Sequence, residues 1–390
     1  MSPQESRNFY YNTIRDASTL ARASQGQPAL ETLLRSGWKS AVSQWGREQL
    51  LAHRVVCSEP SVWLALLNGL FRDPGTAHEC IAELVKGPAS IDALKHSSEP
   101  QIVQRHQPDS VGYVWAALLP FLRAAARSDP PAASTPSTPK QKRERKAPER
   151  YGGGVPSDQA DLGSSPDYKQ RPTTSGSHSS FSSVGYMDKL EAPLLEDATI
   201  RVTSSFSRCV LNYGQPMDKR EPFLEYRDER LTYSYKLGAQ EVHAVDDGGI
   251  QVFEPGLRKW YQVAQLEGKR AFQKITDGVA DITDELLGQM VGEALALQQN
   301  SQRTKQNNIR TDFVTILAAT HCVRLFHFHI PVDYIESYNN LSSTGPGQAA
   351  LKGVLRANST PWLDIKLMDH RKIIASHILA LVAWANQELA

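Results

Sequence analysis

The chain has little cysteine and no long apolar run. Its four cysteines, Cys57, Cys80, Cys209 and Cys322, lie far apart and form no CxxC pair. This spacing argues against a zinc ribbon or a disulfide framework and suits a reducing compartment. The apolar stretch 373–385 is too short for a membrane span, which takes about 20 residues. The first residues lack the apolar core of a signal peptide. We therefore expect a soluble intracellular protein, nuclear or cytoplasmic, with no membrane partner.

An excess of charge of one sign is also missing. The formal net charge is +1, so any surface for nucleic acid would have to be local. The sequence contains no G-x-x-x-x-G-K-[ST], no G-x-S-x-G and no kinase signature set, which disfavours the enzyme classes that these motifs mark. What is present is ordinary for a globular protein: 390 residues, 40% hydrophobic and 22% charged, enough for two or three domains.

Residues 1–127 are predicted to form a helical N-terminal module. Within residues 28–53, apolar side chains recur at three- and four-residue steps, the spacing of one helix face. The members of this set are Leu30, Leu33, Leu34, Trp38, Val42 and Trp45. Further apolar runs follow at 61–71 and 111–126, separated by Asp, Pro and Gly. No catalytic constellation is visible in this part of the chain, so we expect a module for contacts.

The composition changes after Arg127. Residues 128–187 are rich in Ser, Pro, Gly and charge and nearly free of aliphatic side chains. Such a stretch buries too little apolar area to offset its ordering entropy, so we predict a disordered linker. Within it, KQKRERK (140–146) gathers five basic residues around one glutamate. Two interpretations stay open for this run: a nuclear-import signal or phosphate-binding arm, or a solvated linker that its charge keeps extended.

Residues 188–390 have a mixed α and β pattern. The predicted order is a helix, three strands, a helix, two strands around a short turn at 312–331, and a closing helix near 368–388. The three strands cover LTYSYKLG, QEVHAVDDGGIQVFE and KWYQVAQLEGKRAF, and DDGG interrupts the second. The helix after Thr283 is the clearest, because it carries an apolar stripe. The stripe consists of Leu286, Leu287, Met290, Ala294 and Leu297.

An acid and a base end the third of these strands. Glu267 and Lys269 are two residues apart and therefore share a strand face. Asp246 and Asp247 lie about twenty residues earlier, near the end or bend of the preceding strand. If the two strands pair, one aspartate lies beside Glu267. Two carboxylates so close repel each other unless a cation neutralises them, so the arrangement predicts a Mg²⁺ or Mn²⁺ site.

The residues beside this acid pair suggest how the site would act. Lys269 would orient or deprotonate a metal-bound water, or neutralise charge on a phosphate. Gly268 would let a substrate approach closely, and its carbonyl is a possible further metal ligand. DDGG (246–249) also permits an ordinary hairpin turn.

These motifs resemble the bipartite signature of the PD-(D/E)XK nuclease superfamily. VDDGGIQV (245–252) followed by AQLEGKR (264–270) is similar to its aspartate and E-x-K elements, and QMVGEALAL (289–297) resembles the helix that follows E-x-K. Over roughly 195–335, the runs VDDGG, LEGKRAF, DELLGQMVGEALAL and DFVTILAATHCVRLFHF are similar to uncharacterised nuclease-like proteins of filamentous fungi. The resemblance implies a restriction-endonuclease-like fold for residues 188–390, a mixed α/β sheet flanked by helices.

The resemblance also implies roles for single residues. Asp247 and Glu267 would hold the metal, with Asp246 as the substitute if the register is one residue off; Asp246 stands where the family usually has a proline. Lys269 would be the catalytic base or charge stabiliser, and Gln289 would contact the substrate or the metal's surroundings. Many members place a glutamate on the first helix. The alternatives that stay open for it are Glu196, Glu221 and Glu225.

His321, His327 and His329 raise the separate possibility of a zinc site. His327 and His329 share a strand face, but zinc needs a third or fourth ligand placed tetrahedrally, and no such residue stands out in the sequence. We therefore expect partly buried histidines at a sheet edge.

The predicted function is metal-dependent phosphodiester hydrolysis of nucleic acid, with DNA preferred and a homodimer possible for paired cuts. The alternative is a catalytically inactive nuclease-fold protein that binds nucleic acid or protein.

Overall fold

The computed structural model describes residues 9–127, 196–220, 222–300, 306–309, 311–341 and 351–389. The predicted disordered linker at 128–187, with its basic run at 140–146, lies outside the described residues, as does Glu221.

Helices and strands are interspersed along the described chain. The helices are α1 (Tyr10–Thr13), α2 (Ala17–Ala23), α3 (Leu30–Arg35), α4 (Arg47–Ala52), α5 (Pro74–Ala77), α6 (Glu79–Lys86), α7 (Glu99–Val103), α8 (Asp109–Ala117), α9 (Leu119–Arg127), α10 (Glu196–Gly214), α11 (Asp284–Asn300), α12 (Val332–Asn340) and α13 (Met368–Leu389). The strands are β1 (Val55–Cys57), β2 (Leu224–Arg227), β3 (Thr232–Leu237), β4 (Gln240–Val245), β5 (Gly249–Glu254), β6 (Lys259–Lys269), β7 (Ile275–Thr276), β8 (Val279–Ala280), β9 (Gln306–Asn308), β10 (Asp312–Ala319), β11 (Cys322–His329), β12 (Leu355–Ser359) and β13 (Leu363–Asp364).

A nine-stranded mixed sheet is the centre of the fold. Its order is β1-β12-β11-β10-β6-β5-β2, with β13 beside β11 and β9 beside β6. β2, β5 and β6 are antiparallel neighbours, and β10 runs parallel to β6 after the intervening helix α11. β10 and β11 form an antiparallel hairpin, as predicted. The prediction of a mixed α/β sheet with helices is therefore confirmed.

The two faces of the sheet are covered by two hydrophobic cores. Strand side chains alternate between faces, so Val314 and Ile316 of β10 belong to the first core, with helices α8, α10 and α13. Phe313 and Leu317 belong to the second core, with α11 and the β3–β4 hairpin. Helices α10 and α11 therefore lie on opposite faces of the sheet.

Residues 9–127 share both cores with the later part of the chain. Trp115 and Leu84 lie in the first core with residues of α10 and α13, and Tyr10 and Trp45 lie in the second with residues of α11. Strand β1 pairs in parallel with β12, Val55 opposite Leu355. The division at residues 127 and 188 is thus a division of the sequence, because each hydrophobic core contains residues from both sides of it. The domain boundaries themselves stay a prediction.

The predicted single helix through residues 30–45 is wrong. Helix α3 ends at Arg35, because Gly37 adopts a φ of 84°, a left-handed conformation that is common where helices stop. A short 3₁₀ turn, Val42–Gln44, follows and packs on α11 beside Gly292. A Cβ atom at Gly292 would lie 2.5 Å from Cγ1 of Val42, so the missing side chain permits the contact.

The β-rich stretch 240–254, which DDGG was predicted to interrupt, forms two strands in different sheets. β4 pairs with β3 in a separate two-stranded sheet, whereas β5 belongs to the main sheet. Gly248 and Gly249, with φ values of 122° and 156°, turn the chain between them. DDGG is therefore a crossing between sheets, and its interpretation as an ordinary hairpin turn is wrong.

No helix in the described part of the chain has the length and apolar character that crossing a bilayer requires.

Candidate functional site

The candidate site lies where β5 begins and β6 ends. The backbone N–H of Asp247 donates to the carbonyl of Leu266 at 3.0 Å, and the N–H of Leu266 donates to the carbonyl of Gly248 at 2.9 Å. These bonds extend the β5–β6 pairing and set Asp247 beside the end of β6. On the other side of β6, residues Leu317 and Ala319 of β10 lie opposite Glu267 and Lys269.

Asp247 is buried and only partly satisfied. Its Oδ2 accepts a hydrogen bond of 2.9 Å from the backbone N–H of Gly268. Its Oδ1 lies 3.2 Å from Nε of Arg230, whose side chain is 48% exposed, but accepts no hydrogen bond among the described residues. Burial raises the pKa of Asp247, against the opposing effects of the Gly268 N–H and the Arg230 charge. Asp247 is thus a buried acid with one oxygen still available.

Glu267, Lys269 and Gln289 form one hydrogen-bonded unit, completed by Glu293. The Lys269 ammonium forms an ion pair with Oε1 of Glu267 and donates to the amide oxygen of Gln289 at 3.0 Å. The amide nitrogen of Gln289 donates to Glu267 at 2.7 Å and to Glu293 at 2.9 Å. All four side chains are buried. Oε2 of Glu267 and Oε2 of Glu293 accept no hydrogen bond among the described residues.

Burial controls the charge of this unit. It raises the pKa of Glu267 and, together with the Glu267 charge, raises the pKa of Glu293 well above its ordinary value. Burial lowers the pKa of Lys269, but the neighbouring Glu267 carboxylate outweighs it, so this pKa is raised overall. A buried group stays charged only with a partner of opposite charge. These shifts favour a cationic Lys269 and a proton on Glu293, while the Lys269 charge opposes the effect of burial on the pKa of Glu267.

Asp246 points away from this unit and is held by donors of the protein. It is fully buried and receives two bonds from the Arg227 guanidinium, at 3.1 and 2.6 Å. The hydroxyl of Tyr233 and the N–H of Leu231 donate to it at 2.7 and 3.0 Å. Because both of its oxygens accept hydrogen bonds, Asp246 is the buried ion-pair partner of Arg227. Asp247, and not Asp246, is the aspartate available to the site.

Gly268 permits a close approach by helix α10. A Cβ atom there would lie 2.7 Å from Cγ1 of Ile200 and 3.5 Å from Oδ2 of Asp247. The space that was predicted to admit a substrate beside Gly268 is thus filled by Ile200. The role of the Gly268 carbonyl as a metal ligand stays a prediction.

Of the candidate glutamates that the structure describes, Glu196 is the one whose charge acts on the site. It begins α10, is half-buried, and its charge contributes to raising the pKa of both Glu267 and Lys269. Glu225, on β2, is exposed and accepts a bond of 2.9 Å from the side chain of Gln251.

Two residues of the site were not assigned a role from the sequence. Glu293 lies four residues after Gln289, the spacing at which helix side chains meet, and this spacing was the available signal. Arg230 has no local signal, because it reaches Asp247 from the segment before β3.

Two groups of three side chains in the described residues have their potential metal-ligand atoms within 4.8 Å of one another. They are Asp312 with His327 and His329, and His321 with Cys322 and Asp364. Neither group contains Asp247 or Glu267. Asp312, which the β10–β11 register sets opposite His329, is the third member of its group and was not identified from the sequence; the hairpin predicted at 312–331 was the available signal.

The chain matches no protein-family model, no curated protein and no solved structure. Its relationship to the PD-(D/E)XK superfamily therefore stays a prediction.

Proposed function

We propose that the protein is a metal-dependent nuclease that hydrolyses phosphodiester bonds of nucleic acid, with DNA as the preferred substrate. One observation carries the proposal: Asp247 and Glu267, at adjoining strand ends, are buried, and each has one carboxylate oxygen that accepts no hydrogen bond from the part of the chain that the structure describes. Leaving a buried polar atom unpaired costs about 1–3 kcal/mol. A divalent cation bound by both oxygens would remove this cost, so the residues fit a metal.

Asp247 and Glu267 are the residues that would hold Mg²⁺ or Mn²⁺, since both ions prefer hard oxygen ligands. The bound ion would polarise the phosphoryl oxygen and lower the pKa of a water. The remaining roles, charge stabilisation and positioning, belong to side chains of the protein. Lys269 places a positive charge where negative charge develops on the phosphate, and Gln289 holds Lys269 and Glu267 in position through one amide group. Burial strengthens these interactions, because little water screens them.

The strand arrangement supports the same proposal. Helix α10, the antiparallel strands β2, β5 and β6, helix α11 and the parallel strand β10 follow one another in the chain, apart from the small β3–β4 and β7–β8 hairpins and the three-residue strand β9. We propose that this helix, three-strand, helix, strand unit is a restriction-endonuclease-like core. The candidate residues all lie at one end of it.

A second candidate function is favoured by a specific contact pattern. Glu267 is already paired with Lys269, and Asp247 lies 3.2 Å from Arg230. Protein cations thus partly compensate both carboxylates, as they would in a catalytically inactive nuclease fold that binds nucleic acid or protein.

A cleavage assay distinguishes the two functions. Full-length protein is incubated with linear, circular and single-stranded DNA and with RNA, in Mg²⁺, Mn²⁺ or EDTA. We expect metal-dependent cleavage of DNA that falls by at least about 100-fold in Asp247→Asn, Glu267→Gln and Lys269→Ala, the scale on which enzymes lose rate when a group aimed at developing charge is removed.

Glu285→Gln is the matched control, because Glu285 is an exposed residue of the same helix as Gln289 and should leave cleavage unchanged. Absence of cleavage by the unmodified protein in every metal, together with equal nucleic-acid binding by all variants, would establish the binding function instead.

A further inference from the structure

Asp312, His327 and His329 form a polar cluster at the opposite end of β10 from the candidate site. The β10–β11 register sets Asp312 opposite His329, and His327 lies two residues before His329. Residues two apart share a strand face, so all three side chains project from one face, on the side of Val314 and the first core. The hairpin itself brings the cluster together.

The two imidazoles converge on a single carboxylate oxygen. Nε2 of His327 and Nδ1 of His329 each lie 2.8 Å from Oδ1 of Asp312. The potential ligand atoms of the three residues lie within 4.8 Å of one another. Zinc takes nitrogen and oxygen ligands at about 2.0–2.2 Å, so an ion between these atoms requires only small side-chain rotations.

The surroundings also suit a bound ion. His327 is buried, the Asp312 side chain is 18% exposed, and that of His329 is 38% exposed. The cluster therefore opens to solvent on the His329 side, which leaves a route for the ion and room for a water ligand.

Asn358 of β12 provides an outer contact for His327. Its amide group lies 3.3 Å from Nδ1 of His327. An ion on Nε2 leaves the ring proton on Nδ1. After rotation of the Asn358 amide, its oxygen accepts a hydrogen bond from this Nδ1–H. Metal-bound histidines commonly make such a second hydrogen bond, which fixes their tautomer.

We propose that Asp312, His327 and His329 bind a first-row transition-metal ion, with Zn²⁺ as the first candidate. Two imidazoles and one carboxylate are the ligands of known three-residue zinc sites and differ from the oxygen ligands that Mg²⁺ prefers. The ion links β10 to β11. Asn358, which contacts His327, connects the site to β12.

This site is separate from the proposed hydrolytic site and does not depend on it. Asp312 precedes Ala319, the residue opposite Lys269, by seven positions, about 23 Å along an extended strand. It also lies on the other sheet face, because Glu267 and its neighbour Leu317 face the second core.

The group formed by His321, Cys322 and Asp364 is less suited to a metal. Burial raises the pKa of the Cys322 thiol, and a cysteine binds zinc as its thiolate. Nε2 of His321 lies 3.5 Å from Oδ1 of Asp364, so the pair is also looser. This group supplies a natural control.

The test measures Zn²⁺ and Co²⁺ binding to the full-length, chelator-treated protein by isothermal titration calorimetry and by the visible absorption of Co²⁺. We expect one ion per chain and a rise in Tm with Zn²⁺. Asp312→Asn, which preserves shape, and His329→Ala, at a partly exposed position, should weaken binding by more than about 100-fold. Asn358→Ala should weaken it by about 10-fold, the lower end of the cost of losing an outer contact.

His321→Ala and, as a surface control, Glu285→Gln should keep full affinity, which assigns the ion to the Asp312 cluster. Circular dichroism and thermal unfolding of the metal-free variants verify that they fold. The proposal is overturned if the unmodified protein binds Zn²⁺ and Co²⁺ no more tightly than folded His329→Ala does, or if His321→Ala is the variant that loses the ion.

Discussion

The carboxyl group of Glu293 sets the charge balance of the candidate site. It is fully buried, one oxygen accepts from Gln289, and the other accepts no hydrogen bond among the described residues. Its protonation lets the Lys269–Glu267 ion pair exist without a second buried negative charge. Burial and the Glu267 charge raise the pKa of Glu293, so this group keeps its proton to a higher pH in the fold than in the unfolded chain.

The raised pKa of Glu293 predicts a pH-dependent effect of Glu293→Gln. Stability from its bound proton is fully present below the ordinary glutamate pKa of about 4.3 and is lost as pH rises through the raised pKa of the folded state. The loss is up to about 1.4 kcal/mol per pH unit. Glutamine does not ionise, so the variant lacks this loss. Its free energy of unfolding, measured by urea unfolding, should therefore rise relative to that of the unmodified protein from pH 5 to pH 8.

Glu285→Gln, on the exposed side of α11, is the control and should show a small difference at every pH. A difference for Glu293→Gln that is constant or shrinks as pH rises would show that Glu293 is ionised in the fold.

The close contact at Gly268 gives a second residue-level prediction. A Cβ atom there would lie 2.7 Å from Cγ1 of Ile200, and overpacking of this kind typically costs about 1–3 kcal/mol. Gly268→Ala should lower the free energy of unfolding by this amount, and the double variant with Ile200→Ala should recover part of the loss beyond the sum of the single effects. Gly75→Ala is the control, because its nearest contact would be an ordinary 3.6 Å. Additive single effects would exclude the clash.

At the scale of elements, those formed by residues close together in the sequence were predicted, and those that depend on distant residues were missed. The β10–β11 hairpin was predicted because its apolar runs and turn lie within one short stretch. Strand periodicity grouped Glu267 with Lys269, whereas the choice of Asp247 and Gln289 was implied by the family resemblance; the fold places all four at one end of β5, β6 and α11. Of the two residues that were not assigned a role, Glu293 had its four-residue spacing from Gln289 as a signal, and Arg230, which reaches Asp247 from the segment before β3, had no local signal.

The missed elements have physical reasons of the same kind. Strand β2, LEYR, carries Arg227, which is buried only because Asp246 pairs with it. Strand β1 has three residues and obtains its partner from β12, far along the chain. DDGG was predicted to interrupt the stretch 240–254, but the change of sheet between β4 and β5 was not predicted, because it depends on the partner strands β3 and β6 as well as on the positive φ values at Gly248 and Gly249.

The packing of the 3₁₀ turn on α11 gives a prediction for that element. Gly292→Ala would bring Cβ to 2.5 Å from Cγ1 of Val42 and 3.1 Å from Cε3 of Trp45. We expect a loss of about 1–3 kcal/mol in the free energy of unfolding, measured by urea unfolding. Glu285→Ala, on the exposed side of the same helix, should change it little. An unchanged stability of Gly292→Ala would contradict the tight packing of residues 42–45 on α11.

At the scale of the whole molecule, the shared cores bear on the predicted domain boundaries. Residues 188–390 expressed alone would expose the sheet edge at β12 and the surfaces of both cores that residues 9–127 cover. We expect this fragment to aggregate and the co-expressed fragment 1–127 to restore a soluble complex, measured by size-exclusion chromatography and urea unfolding. A monomeric 188–390 fragment with cooperative unfolding would instead support an independent domain.

The pairing of Val55 with Leu355 also has a consequence for synthesis on the ribosome. The two residues are 300 positions apart, which at about 5–20 residues per second takes about 15–60 s. Tyr10, Trp45 and their apolar neighbours are synthesised long before helix α11 (Asp284–Asn300), which packs on them, and β12 (Leu355–Ser359), which pairs with β1, follows later still. We therefore expect the N-terminal residues to be accessible to chaperones during synthesis and to join the sheet late in folding.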